Sequence, residues 1–197
     1  MKSENTKYKI LYTALELFSS LGFNAVSVRD IAGKIGITQS ALYKHYKSKQ
    51  DIFDSILRKM EERDFEKAQQ SQVPDTSYQA DPIQYKNISL DNVKAFTKDM
   101  FHYWTQDEFS VYFRKMLTIE QYSNEKISLL YNQYLLSGPL AYTEDLFREI
   151  GCKNYKAKAI EFYSPVLMLI YLYDTAENKT EIIKKAENHI ENFNLEE

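Results

Sequence analysis

An internal disulfide is excluded, because the chain holds a single cysteine, Cys152. Such cysteine usage fits a reducing compartment, and a cytoplasmic protein is expected. Glycine and proline are also scarce, at 5 and 4 of 197 residues. That scarcity disfavours turn-rich β architectures and suits long helices with few breaks. No apolar run approaches the roughly 18 residues a membrane-crossing helix needs. Met1 to Tyr8 is polar, so no signal peptide is expected.

Signs of catalysis are missing too. There is no Gly-rich phosphate loop. The three histidines, His45, His102 and His189, are scattered without metal-ligand spacing. Cys152 follows Gly151 with no histidine nearby. Ser137-Gly138-Pro139 does not match a nucleophile elbow. The expectation is therefore no enzyme, no cofactor and no metal.

What is present is unevenly placed. Residues 1–50 hold eight basic residues against Glu4, Glu16 and Asp30, a net charge of +5. The remaining 17 basic and 25 acidic residues leave that part at −8, and the whole chain at −3. A basic head on an acidic body offers phosphates one attractive surface, although clustering on a solvated face would look the same.

Apolar residues recur at helical spacing almost throughout. Ile10, Ala14, Leu17, Phe18 and Leu21 predict a first helix stopped by Gly22. Ser27, with Asp30 three residues later, predicts a capping box opening a second helix. Val28, Ile31, Ala32 and Ile35 form its inner stripe, and Gly36 ends it. Thr38 caps a third helix with Leu42 and Tyr46 turned inward, and Ser48 with Asp51 starts a fourth reaching about Gln70. Residues 71–88 hold two prolines and little periodicity, and read as a long loop.

Further helices are expected from Ser89, over Phe109 to Leu117, and from Glu125 towards Gly151. Ser137-Gly138-Pro139 must kink or split the last of these, since proline removes a helix hydrogen bond. The stretch Phe162 to Tyr173 is apolar nearly all round, and Thr180 is expected to cap a final helix. A helix without a polar face needs cover on both sides. A partner copy, in a four-helix bundle, or an internal hairpin would supply it.

Val28 to Tyr46, VRDIAGKIGITQSALYKHY, carries the sharpest signal. Two helices that cross closely need a small residue at the contact, here Ala32, and a turn residue tolerant of φ > 0, here Gly36. The outer side of the second helix then presents Gln39, Ser40, Tyr43, Lys44 and the neighbouring His45, side chains suited to a major groove.

The run from Leu11 to Leu57 closely resembles the N-terminal domain of tetracycline-repressor (TetR) type regulators. Ala14, Phe18, Gly22, Ser27, Val28, Ile31, Ala32, Gly36, Leu42, Tyr43, Tyr46, Lys49, Ile52 and Phe53 carry that resemblance, over about a quarter of the chain. The run EFYSPVLMLIYLYD resembles, more loosely, the dimer helix of many such proteins. The resemblance implies an all-α fold. A helix-turn-helix domain over 1–50 would be joined by a fourth helix to a ligand-binding and dimerisation domain over 51–197. Ser27 and Arg29 match positions that touch the phosphate backbone or a neighbouring base, and Thr38, which caps the third helix, is expected to reach a phosphate with its hydroxyl. Gln39, Ser40 and Lys44 match base-reading positions, and Tyr43, His45 and Lys49 match positions that grip phosphates. Tyr46 reads better as core. Two departures stand: Gly33 lies inside the second helix, and Lys44 follows Tyr43 where base preference cannot be borrowed from a relative.

Beyond residue 50 lie 22 of the 28 aromatic residues. Tyrosine and tryptophan would suit a flat, partly polar or cationic ligand, and equally a packed core. Candidate ligand residues are Met60, Phe101, Trp104, Phe113, Met116, Glu120, Tyr131 and Tyr134. Glu120 is singled out as a carboxylate on an otherwise apolar stripe, which needs a partner. Candidate dimer-interface residues are Tyr163, Leu167, Ile170, Ile183 and Ile190. The expected function is a homodimeric repressor released from a palindromic DNA operator by a small organic molecule. A DNA-binding protein without an inducer is the alternative, ahead of an enzyme.

Overall fold

The computed structural model of the protein describes residues 2–70 and 88–196. The loop expected over 71–88 lies, except for its last residue, outside the described residues. Among the described residues there are ten α-helices and no strand. They are α1 (Lys2–Leu21), α2 (Val28–Lys34), α3 (Gln39–Tyr43), α4 (Lys49–Gln70), α5 (Leu90–Gln106), α6 (Glu108–Glu120), α7 (Glu125–Leu135), α8 (Ser137–Glu149), α9 (Tyr155–Thr175) and α10 (Lys179–Asn192). The all-α class expected from periodicity is what forms.

The chain divides into two compact units, one of residues 1–65 and 108–131, the other of 66–107 and 132–197. In the first, α1 lies along α6 and contacts α2. Ile10, Ala14, Leu15 and Phe18 of α1 are fully buried, with Ile31 of α2, Leu42 of α3, Ile52, Ile56 and Met60 of α4, and Met116 and Leu117 of α6. The inner side of α1 is rotated from the expected stripe: Leu11 and Leu15 are buried, whereas Leu21 is 59% exposed at the helix end. Phe23 packs between Phe18 and Phe53, with ring centroids 5.2 and 5.1 Å away, the second pair edge to face.

In the second unit α9 packs on α8 and α10, and α5 closes against α10 and α9. Phe162 is fully buried, its ring 4.8 Å from Phe193 and 5.5 Å from Phe147, and its carbonyl pairs with His189 Nε2 at 2.9 Å. On the rim, Lys98 pairs with Glu191 at 2.5 Å, and His102 Nε2 stands 3.3 Å from Glu187. Such exposed pairs add little stability beside the aromatic cluster.

The helix expected from Glu125 is split, not merely kinked. Leu136 leaves the helical region at φ −116, ψ −97. Pro139 has no N–H for the carbonyl of Leu135 one turn earlier. That carbonyl accepts the Tyr163 hydroxyl at 2.8 Å instead. Two further expectations are corrected. The cap of α10 is Asn178, whose Oδ1 accepts the Glu181 N–H at 3.2 Å, not Thr180. Ile170 and Ile190, expected at a dimer interface, are buried in their own unit, because α9 and α10 turn those sides towards each other's core. The exposed large apolar side chains of α9 are Ile160, Met168 and Leu172, and Leu167 and Ile183 are half-buried.

Phe162→Ala should lower the unfolding free energy by about 3–5 kcal/mol, the range for a fully buried phenylalanine. Urea denaturation followed by circular dichroism checks this, with the midpoint falling and the slope unchanged.

Candidate nucleic-acid interface

The helix-turn-helix is built from local rules. Ser27 has extended backbone, φ −97 and ψ 160, and opens α2 with a complete capping box. Its hydroxyl accepts the Asp30 N–H at 3.2 Å and donates to Asp30 Oδ2 at 2.6 Å, while its own N–H donates to the same oxygen at 2.8 Å. These bonds hold the Asp30 carboxyl below its ordinary value of 3.8, the Ser27 hydroxyl being the main cause and its amide the next. After α2 the chain turns at Gly36, where φ is +72, a conformation that L side chains rarely adopt. The Ile37 N–H reaches back to the Ala32 carbonyl at 3.0 Å. Thr38 then caps α3 by accepting the Ala41 N–H at 3.1 Å, which leaves its hydroxyl proton available to a phosphate oxygen.

Burial decides which side of α3 faces out. Leu42 is fully buried and Tyr46 is 2% exposed. The Tyr46 hydroxyl donates to the Lys7 carbonyl at 3.2 Å, and burial, aided by the charge of Asp51, pushes its pKa up to about 12. It is a core residue, as read. Gln39, Ser40, Tyr43 and Lys44 are exposed, and His45 is half-buried. Arg29, Ala32, Gly33, Ile37, Thr38, Gln39 and Ser40 line a shallow concavity of about 580 Å³. Gly33 has no neighbour within 4 Å of where a Cβ would stand, so it is not there for close packing.

Lys34 and Lys49 of the head make internal ion-pair or hydrogen-bond contacts. Lys34 pairs with Glu16 at 2.7 Å. Lys49, expected to grip phosphate, donates instead to the carbonyls of Phe23 at 2.7 Å and Val26 at 2.8 Å, over the Phe23 ring at 4.2 Å. Two of its three donors are thereby used, which corrects that expectation. Lys47, exposed between α3 and α4, escaped the sequence reading. Its only signal is its place in the basic stretch YKHYKSK.

The candidate ligand residues divide between the units. Met60, Phe113 and Met116 are fully or almost fully buried in the first, with Tyr131 at 8% exposure. Phe101 and Trp104 are buried in the second, where Tyr134 meets Trp104 edge to face at 6.2 Å. Glu120 does have a partner, but an unexpected one: its Oε1 accepts the backbone N–H of Phe23 at 2.7 Å.

Residues 10–56 match the family model "Bacterial regulatory proteins, tetR family". The chain carries a tetR-family N-terminal domain. The tetR-type head is 40% identical, over 55 residues, to the HTH-type transcriptional regulator AcrR of Shigella flexneri, 28% of this chain and 26% of that protein. It is 35% identical over 51 residues to the class C tetracycline repressor protein of Escherichia coli, 26% of this chain and 23% of that one. These matches therefore span about a quarter of the length of the curated relatives. Beyond the tetR-type head the likeness is one of fold. A protein from Saccharomonospora viridis, solved in complex with choline, aligns over 96% of this chain and 97% of its own with a TM-score of 0.64 at 17% identity.

Two outcomes follow for the head. Lys49→Met should cost about 1–3 kcal/mol of stability by freeing two carbonyls. It should leave the salt dependence of any DNA binding unchanged, as calorimetry and a salt titration would show. Asp30 has a depressed folded-state pKa, so its contribution is complete above 3.8 and is lost as pH falls through the lower folded value. Asp30→Asn should therefore lower the melting temperature above about pH 4, where the ionised carboxylate contributes, and converge on wild type as pH falls below the folded value, which flattens the acid limb of a pH-dependent thermal melt.

Proposed function

We propose that the protein is a ligand-responsive transcriptional repressor, a homodimer that binds a palindromic operator and is released by a small organic molecule. The observation that carries this reading is the exposed row Thr38, Gln39, Ser40, Tyr43 and Lys44 beyond the Gly36 turn, on a head that matches the tetR family. In this reading residues 1–50 contact DNA and 51–197 bind ligand and partner copy. Arg29, Thr38, Tyr43 and His45 position the head on phosphates, joined by Lys47. Gln39, Ser40 and Lys44 read base edges. The hydroxyl of Ser27 is already committed to its own helix cap, so its role is to place Arg29.

The exposed Ile160, Met168 and Leu172 of α9, at multiples of four residues, support a partner copy on that helix. Leu167, Tyr163 and Ile183 would stand at its border. Aromatic side chains support an organic ligand, and the choline complex of the Saccharomonospora viridis protein makes quaternary ammonium compounds the first class to screen. No described helix is long and apolar enough to cross a membrane, and the proposed site of action is the cytoplasm. No reaction is assigned to the chain.

Selection of duplexes from a random pool, followed by fluorescence anisotropy, tests the reading. Two chains per duplex and an inverted repeat are expected. Lys44→Ala should cost about 1–3 kcal/mol of discrimination at one base position in each half-site. A wild-type protein that enriches no sequence from the pool would overturn the proposal.

A further inference from the structure

The six residues between α1 and α2 are held from two sides. On one side stands Glu120, the last residue of α6, only 7% exposed. Its Oε1 accepts the Phe23 N–H at 2.7 Å, and its Oε2 accepts the Ser123 hydroxyl at 3.4 Å. On the other side Lys49, at the start of α4, donates to the carbonyls of Phe23 and Val26. Gly22, just before Phe23, adopts φ +81, and a Cβ there would stand 3.0 Å from Glu120 Oε1. The carboxylate is thus seated against the bare side of a glycine. Three backbone groups of the turn are taken by charged side chains of two other helices. Bonds to ionised groups are the stronger and more directional kind, and breaking a buried one strands a polar group.

The turn leads straight into the reading surface. Ser27 opens α2 four residues after Phe23, Arg29 follows, and the Gly36 turn fixes α3 to α2. A shift of the turn therefore moves Arg29 and the α3 row together.

We propose that Glu120 is a positioning residue for the DNA-reading surface. The end of α6 holds the α1–α2 turn, and through it the start of α2, in the placement that presents Arg29 and α3 to a duplex. This rests on the DNA-binding reading above.

The test uses the full chain with Glu120→Gln, which keeps the shape and an acceptor oxygen but not the charge, and Glu120→Ala, which removes the acceptor. Three measurements are made: thermal unfolding, amide hydrogen exchange of peptides covering residues 20–30, and affinity for the selected duplex against a scrambled duplex of equal length. The expected result for Glu120→Ala is at least tenfold faster exchange confined to the turn and about tenfold weaker binding of the selected duplex. Scrambled-duplex affinity should hold, and Glu120→Gln should fall between the alanine variant and wild type. Should the alanine variant not fold, Glu120→Gln carries the test with the same direction. Equal losses on both duplexes alongside a lower melting temperature would reduce Glu120 to a structural residue and overturn the proposal. So would unchanged exchange and unchanged preference. A wild-type chain without sequence preference would sink the DNA-binding reading instead, with exchange at the turn still reporting whether Glu120 holds it.

Discussion

Gly36 takes a backbone conformation with φ +72, and the side chains around it complete the constraint. Ile31 and Leu42 are fully buried on either side of that turn, so α2 and α3 cannot rotate independently. Once the inner sides are committed, Gln39, Ser40, Tyr43 and Lys44 have only solvent to face. The exposure of this row is thus a by-product of core packing.

Charge in the head serves two ends that the sequence alone does not separate. Lys34 and Lys49 are spent on Glu16 and on the carbonyls of the α1–α2 turn. Arg29, Lys44 and Lys47 stay exposed. A count of positive residues therefore overstates the surface available to phosphates. It also hides how the turn is stabilised: with six residues and no regular structure, its polar backbone must be satisfied from outside, and Glu120 and Lys49 do this.

The second unit shows why an all-round apolar helix is a poor guide to which side meets a partner. One side of α9 faces α8 and α10 through Phe162, Val166, Leu169 and Ile170. The other leaves Ile160, Met168 and Leu172 in water. Both sides read alike in sequence, because a Leu or Ile carries no record of which neighbour covers it.

Local chemistry made much of this protein legible in advance. Capping by Ser27 and Thr38, the stop at Gly22, the turn at Gly36 and the break before Pro139 all follow from residues within a few positions of one another. That is why the helices and the outward row of α3 could be read directly. Pairings between distant residues could not. Lys49 finds Phe23 across 26 positions and Glu120 finds it across 97, and no periodicity encodes either. Glu120 was legible as a buried carboxylate in need of a partner. That its partner is a backbone amide, rather than a ligand or a basic side chain, was decided only when α6 came to rest against α1, because a hydrogen bond depends on where the chain returns and not on what lies beside the residue in the sequence.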